Sequence, residues 1–219
     1  MKLGLTLKLE AERKHTLKRK ITHLFGVLYL LGIWLFNQHF SFYGTTMLLV
    51  TLVMFSMSVY VVYNFLKFFN LKIGVLEKLW WKLGSPELLG REKYYWDVCW
   101  LGLFLSISIL LCSLVDDVRI AYIMTSTVIL GDGFAGIVGI IFGKHKIFFN
   151  PKKTVEGHLS GFIIAFLVSF LLTKSFLMSF IGTGFGMFVE ALPVKVSDNA
   201  TVPLATTLIL ILVKVFLGG

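Results

Sequence analysis

One acidic residue, Asp132, lies in the middle of a long apolar run. No other charged residue occurs between about Ile120 and Phe142. An ionised carboxylate in mid-membrane costs on the order of 3 kcal/mol, so such a group is retained where it is paired, metal-bound or facing a polar cavity. We interpret Asp132 as part of a site for a polyanion and its metal ion. A structural ion pair with a lysine on another helix is the alternative.

A short basic segment follows at 143–157 and supplies the cations that such a site needs. It carries Lys144, Lys146, Lys152, Lys153, Thr154 and Glu156. The last lysines and the threonine stand where the next helix should begin, and a helix N-terminus flanked by lysines can bind phosphate. Lysines at a membrane interface also act as solvated topology signals. Glu156 is either a favourable charge at the helix start or a metal ligand.

Four polar residues elsewhere are weaker candidates. Asp198 and Asn199 directly precede the last apolar run. An Asx pair in that position commonly caps a helix, and its oxygens also suit Mg²⁺. Glu190 and His23 are each as suited to an internal hydrogen bond as to a functional role.

Several familiar sites are excluded. The string Gly131–Gly136 matches G-x-G-x-x-G, but no strand precedes it, so it is not a dinucleotide fingerprint. Cys99 and Cys112 lie in one apolar run, too far apart along a helix to form a disulfide. The net charge of +9 comes from basic residues at the ends of apolar runs. That pattern indicates topology signals and phosphate contacts, with no nucleic-acid partner.

The elements that position these residues are predicted to be membrane helices. The chain is 57% hydrophobic and 15% charged, and its long uncharged runs do not alternate as barrel strands would. We therefore expect an all-α, polytopic helical bundle that forms a single domain over residues 1–219. Seven spans are predicted: about Ile21–Phe40, Phe42–Phe65, Tyr94–Val115, Ile120–Phe142, His158–Leu172, Phe176–Leu192 and Ala200–Leu217.

Charge distribution predicts the orientation. The basic N-terminus 1–20, with no short apolar core typical of a cleavable signal, should lie inside. Segment 66–93 mixes lysines with tryptophans and leucines, which is typical of an amphipathic stretch in the interface. Together with 143–157 and 193–199 these segments place nearly all lysine and arginine on one face. We expect a multi-pass integral membrane protein whose active site faces the cytoplasm.

Several motifs resemble the shared core of two families of membrane lipid enzymes. The stretches are Gly131-Asp132, Phe142–Lys146 and Asn150–Gly157. One family is the CTP-dependent lipid kinases, which include dolichol, polyprenol, phytol and fungal-type diacylglycerol kinases. The other is the phosphatidate cytidylyltransferases, which include the CDP-archaeol synthases.

The flanking motifs are more similar to the kinases. Arg19-Lys20-x-x-His23 resembles the opening motif of the kinase family. Glu190 and the string Asp198–Pro203 look like its closing elements. The Ser-x-x-Lys-Arg-x-x-x-Lys-Asp signature that ends cytidylyltransferases is not found.

The resemblance implies transfer of the γ-phosphate of CTP to the hydroxyl of a membrane lipid alcohol, either a polyisoprenoid or a diacylglycerol. It implies catalytic roles for Asp132, Lys153, Glu156 and Asp198, with Mg²⁺ held by Asp132, Glu156 and Asp198. Nucleotide contacts would come from Lys144, Lys146, Lys152, Lys153, Thr154 and Asn199. Accessory roles would fall to Arg19, Lys20, His23 and Glu190.

Two other functions are kept as alternatives. One is a cytidylyltransferase that forms a CDP-lipid. The other is a membrane transporter without catalytic activity, in which Asp132 would be a coupling site. The oligomeric state is left open, with a homodimer among the options.

Overall fold

The computed structural model describes residues 16, 17, 20, 21, 23–69 and 92–217. Arg19 and most of the predicted interfacial segment 66–93 lie outside the described residues. The described chain is almost entirely helical, which confirms the all-α prediction. Its helices are α1 (Val27–Phe36), α2 (Phe42–Phe68), α3 (Glu92–Leu114), α4 (Val118–Ser126), α5 (Asp132–Ile141), α6 (Val155–Thr173), α7 (Phe176–Ala191) and α8 (Asp198–Leu217).

Three of the described helical stretches are long and apolar enough to cross a membrane. These are the continuous stretch Val118–Ile141, helix α6, and Asp198–Phe216 within α8. Helices α1 and α7 and parts of α2 and α3 are also apolar but shorter. The observed helices match the predicted spans closely from Glu92 onward, whereas the predicted number of seven crossings remains a prediction.

Helices α4 and α5 form one continuous rod through a π-helical turn at Thr127–Gly131. The side chain of Asp117 caps the start of α4 by accepting a hydrogen bond of 3.0 Å from the Arg119 N–H. Glycines on both sides of Asp132, Gly131 and Gly133, could break a helix and expose backbone N–H groups to a ligand. The helix does not break there, because the π turn absorbs an extra residue and α5 begins directly at Asp132.

Glycines bring α5 and α6 unusually close together. A Cβ atom built on Gly157 would meet the carbonyl oxygen of Ala135 and would lie 2.8 Å from the Cα of Gly139. One turn deeper, a Cβ on Gly161 would meet the carbonyl oxygen of Gly131. Small residues at these crossings let two membrane helices pack backbone against backbone. The close contact fixes Asp132 relative to the start of α6.

The predicted basic loop contains an antiparallel ribbon of two short strands, β1 (Lys146–Ile147) and β2 (Asn150–Thr154). The buried Asn150 donates a hydrogen bond of 3.0 Å from its side-chain amide to the carbonyl of Ala191, which holds the ribbon against the end of α7. Thr154 then caps α6 by accepting from the N–H of Gly157 at 3.3 Å. The ribbon thus folds back over the helix ends.

Candidate active site

Most of the candidate polar residues meet in one cavity of about 600 Å³ at the end of the bundle that carries the ribbon. Helix α5 rises about 14 Å between Asp132 and Ile141, and residues along most of this length form one wall. The other walls come from the N-terminal segment, the ribbon and the adjoining ends of α6, α7 and α8. The lining residues are Thr16, Lys20, Asp132, Ala135, Gly136, Gly139, Ile140, Gly143, Lys146, Lys152, Lys153, Thr154, His158, Glu190 and Asp198.

Asp132 is paired on both carboxylate oxygens. The Lys20 ammonium forms an ion pair with Oδ1, and His23 Nε2 lies 3.6 Å from Oδ2. His23 Nε2 also lies 3.0 Å from the carbonyl oxygen of Val128. A carbonyl oxygen only accepts, so this nitrogen carries the hydrogen. The ion pair that the sequence left as an alternative is therefore present, with Lys20 as the partner.

Lys153 connects the ends of three elements. Its ammonium donates to the Glu190 carbonyl oxygen, to Glu190 Oε1 at 3.1 Å and to Asp198 Oδ2 at 2.8 Å. Burial alone would lower the pKa of Lys153, but the two carboxylates raise it above its ordinary value. An ammonium has three donors, and all three are used here. Lys153 therefore holds Glu190 and Asp198 in place in this arrangement.

Glu190 is the most deeply buried acid of the cavity, with 2% of its surface exposed. Its Oε1 is held by Lys153, while its Oε2 has no hydrogen-bond partner within the described chain. A buried carboxylate oxygen without a partner is costly unless a ligand or water meets it. The sequence marked Glu190 only as an accessory residue, because nothing in it revealed that Lys153 would reach the end of α7.

Two lysines are left for an anionic ligand. The side chains of Lys146 and Lys152 line the cavity and form no hydrogen bond or ion pair in the part of the chain that the structure describes. Lys144 and Asn199 are not among the lining residues. Thr154 also lines the cavity, and its hydroxyl accepts the capping hydrogen bond from the Gly157 N–H at the start of α6.

Glu156 lies apart from the cavity. Its carboxylate accepts hydrogen bonds from the His145 backbone N–H at 3.1 and 3.2 Å, and one oxygen is 2.5 Å from His145 Nδ1. These contacts tie the start of the ribbon to α6. The structure therefore does not bring Glu156 together with Asp132 and Asp198, as the metal prediction had grouped them.

His158 lines the cavity and was not singled out from the sequence. It follows Thr154 by four residues and therefore lies on the same face of the chain at the start of α6. That spacing was the signal that could have revealed it.

The remaining acids suit Mg²⁺ by their chemistry. Within the described residues, no group of three His, Cys, Asp or Glu side chains is arranged to hold a metal ion. Mg²⁺, however, is commonly held by one or two carboxylates together with water and substrate phosphates. Asp132 and Asp198 both line the cavity and offer the oxygen ligands that this ion prefers. Glu156 does not fit the same role.

Known proteins that are similar to this chain identify its family. A profile described as the Cytidylyltransferase family matches residues 7–218. The chain belongs to this family. It is also 31% identical over 149 residues to a "Probable phytol kinase, chloroplastic" of Zea mays. This match includes 58% of the chain and 45% of the relative, so the chain spans less than half of that protein. No solved structure matches.

These comparisons confirm the resemblance to the CTP-dependent lipid kinases and their cytidylyltransferase relatives. The family profile extends over nearly the whole chain, including the N-terminal segment that carries Lys20 and the last helix that carries Asp198. The residues that meet in the cavity therefore all lie within the matched part of the chain.

Proposed function

We propose that this protein is a CTP-dependent lipid kinase that transfers the γ-phosphate of CTP to the hydroxyl of a membrane lipid alcohol. The acceptor is an isoprenoid alcohol of the phytol, polyprenol or dolichol type, or a diacylglycerol. The observation that carries the proposal is the cavity itself. Lys146 and Lys152, whose side chains form no hydrogen bond or ion pair with the described residues, share it with three acids at the end of an apolar helical bundle. Family membership and the phytol kinase relative support it.

The cavity suits a reaction at the membrane surface. We propose that the bundle crosses the membrane seven times and that the ribbon end, which is rich in lysine, faces the cytoplasm. A lipid alcohol then reaches the cavity sideways between helices and its tail remains among the apolar side chains. CTP arrives from the aqueous side, past the exposed Lys146 and Lys152.

Phosphoryl transfer is catalysed mainly by positioning and by neutralising charge on the phosphates. Lys146 and Lys152 bind the triphosphate as flexible cations. Asp132 and Asp198 would hold Mg²⁺, which would supply positive charge to neutralise the phosphate oxygens. Lys153 keeps Asp198 oriented toward the cavity through its 2.8 Å ion pair.

The family description supports a second candidate, a cytidylyltransferase that forms a CDP-lipid. The two reactions differ in the phosphorus atom that is attacked. In the kinase the lipid hydroxyl attacks the γ-phosphorus and CDP leaves. In the cytidylyltransferase a lipid phosphate attacks the α-phosphorus and pyrophosphate leaves.

Labelled nucleotide separates the two. Membranes containing the protein are given mixed lipid alcohols and CTP labelled at either the γ- or the α-phosphate. We expect label to enter the lipid fraction only from γ-labelled CTP, and the mobility of the product will identify the alcohol. Entry only from α-labelled CTP establishes the cytidylyltransferase. No entry from either, with an ATP control also blank, favours the non-enzymatic alternative.

The variant Asp132→Asn tests the assignment of the site. It removes one metal-binding carboxylate while keeping the shape of the side chain, so we expect turnover to be lost and the fold retained. Activity close to the unsubstituted level in the purified variant contradicts the role of Asp132.

A further inference from the structure

The three acids of the cavity differ in the contacts that their carboxylate oxygens make. Lys20 and His23 face both oxygens of Asp132, and Lys153 holds one oxygen of Asp198. Glu190 is also held by Lys153, through Oε1, but its Oε2 is buried and accepts no hydrogen bond within the described chain. A carboxylate oxygen without a partner, in a residue that lines the cavity, is an acceptor prepared for a ligand that donates a hydrogen bond.

The ligand that fits is a hydroxyl group. A phosphate near pH 7 brings acceptor oxygens and negative charge, so the nucleotide is better matched to Lys146 and Lys152. The alcohol brings an O–H donor without charge. The carboxylate of Glu190 belongs to the end of α7, one residue before the helix ends at Ala191. The lipid can present its hydroxyl there while its tail extends along apolar helix surface.

We infer that Glu190 forms the acceptor subsite, where its Oε2 binds the hydroxyl of the lipid alcohol and takes its proton. The inference rests on the proposed kinase function. It assigns proton removal to Glu190, and leaves Asp132, whose oxygens already face two cationic or donor groups, to the metal and phosphates. Lys153 acts as a positioning residue, because its hydrogen bonds to the carbonyl oxygen and to Oε1 of Glu190 fix the carboxylate.

The step balances without any further reactant. The alcohol oxygen forms a bond to the γ-phosphorus while its O–H bond breaks and the proton moves to Glu190 Oε2. The bond between the γ-phosphorus and the bridging oxygen breaks, and CDP leaves with that electron pair. The proton on Glu190 then passes to solvent after the phosphorylated lipid has left.

The first test is Glu190→Gln, with Asp116→Asn as the matched acid-to-amide control. Asp116 is exposed in the turn between α3 and α4, away from the cavity. Loss of a general base typically slows the chemical step by 10²–10⁴-fold. We expect kcat of Glu190→Gln to fall by at least 100-fold, with the Kd for CTP changed by less than about threefold. Glutamine can still accept from Lys153, so the melting temperature should stay near that of the control.

The acidity of the alcohol distinguishes a base from a group that only positions the acceptor. An acceptor fluorinated on the carbon next to the one that bears the hydroxyl loses its proton more easily and needs less help from a base. The rate of the unsubstituted protein divided by the rate of Glu190→Gln should therefore be about tenfold or more smaller with the fluorinated alcohol than with the ordinary alcohol. An equal ratio for the two alcohols overturns proton removal by Glu190.

Other outcomes are equally decisive. Activity of Glu190→Gln within about threefold of the unsubstituted protein overturns the subsite, and so does a parallel loss of CTP binding. If Glu190→Gln does not fold, Glu190→Asp replaces it as the test, because it keeps a carboxylate. We expect Glu190→Asp to retain activity and to phosphorylate the fluorinated alcohol as well. A folded Glu190→Asp that is inactive with both alcohols overturns the inference. Failure of the kinase proposal is recognised separately, because the unsubstituted protein would then transfer no γ-label.

Discussion

The close crossing of α5 and α6 predicts how much stability is lost when a glycine at the crossing is replaced by alanine. In Gly157→Ala, the new methyl group would meet the carbonyl oxygen of Ala135 and would lie 2.8 and 2.9 Å from the Cα and N atoms of Gly139. All three contacts are backbone atoms, so no side chain can rotate away and the helices must separate. Gly184 in α7 provides the matched control, because its new methyl would only touch a Phe162 ring carbon at 3.7 Å.

Two opposing free-energy contributions give the expected change in stability. Overpacking a close contact costs about 1–3 kcal/mol, and unyielding backbone places this case at the upper end. Alanine is favoured over glycine within a helix by about 1 kcal/mol. Gly157→Ala should therefore lower the free energy of unfolding by about 2 kcal/mol, whereas Gly184→Ala should leave it unchanged or raise it by up to about 1 kcal/mol. For a chain of this length, a loss of 2 kcal/mol lowers the melting temperature by roughly 4–8 °C.

Thermal unfolding of the two variants in the same detergent measures the difference. We also expect Gly157→Ala to lose activity at temperatures where it is still folded. Moving α5 away from α6 displaces Asp132 from the residues at the start of α6. Equal melting temperatures for the two variants would refute the close crossing and the reasoning built on it.

Two further predictions concern charge at opposite ends of the bundle. Lys152→Ala should raise the KM for CTP about tenfold, because a charge-assisted contact contributes about 1.5–3 kcal/mol, while Lys174→Asn at the far end should leave it unchanged. Asp117→Asn should lose about 2 kcal/mol of stability, because Asp117 pairs with Arg119 at 2.7 Å and Lys214 at 3.5 Å. Burial would raise the pKa of Asp117, but the bonds from Arg119 lower it. Its stabilisation is therefore complete above the ordinary aspartate pKa and is lost as pH falls through the lowered value, so melting curves of protein and variant should converge in acid.

Helix positions in the second half of the chain could be predicted because local signals are strong there. Lys174 is in the left-handed conformation, with φ of 55°, at the point where α6 ends. It also separates two apolar runs in the sequence. Thr154 and Asp198 stand at the starts of α6 and α8, where side-chain oxygens favour a helix N-terminus.

The ribbon could not be predicted from its turn. Tight hairpins usually carry Asn-Gly or a similar pair, because the favoured turns need positive φ. Here the turn residues are Phe148 and Phe149, and neither has a positive φ. The ribbon is instead secured by Asn150 on the end of α7, a contact between residues 41 positions apart. No local pattern reports a contact at that separation.

Several members of the cavity could be predicted, but their pairing could not. Asp132 was a candidate because it is an acid within a long apolar run, and Lys153 and Asp198 were candidates because of their types and their places at predicted helix starts. Which cation meets which acid depends on how six parts of the chain pack together, and this packing brings Lys153 to Glu190 and Glu156 to His145. The oxygen of Glu190 that accepts no hydrogen bond from the described residues is a consequence of that pairing.

The ion pair between Lys20 and Asp132 gives a last prediction, since it links the N-terminal segment to α5. Methionine in place of Lys20 keeps the side-chain length that packs against Gly136 and removes the charge. Both partners are largely buried, with side-chain exposures of 13% and 15%, and loss of one partner from a buried pair costs about 3–5 kcal/mol. We expect Lys20→Met to lower the free energy of unfolding by about 3 kcal/mol.

A second substitution shows whether the charge of Asp132 is the cause. In the double variant with Asp132→Asn no uncompensated carboxylate remains, so most of the loss should be recovered and the coupling should be about 2 kcal/mol. Thermal unfolding without nucleotide measures all four proteins. Additive losses, within about 0.5 kcal/mol, would mean that the pair contributes nothing to stability. Lys20 would then be a cation available to the phosphates.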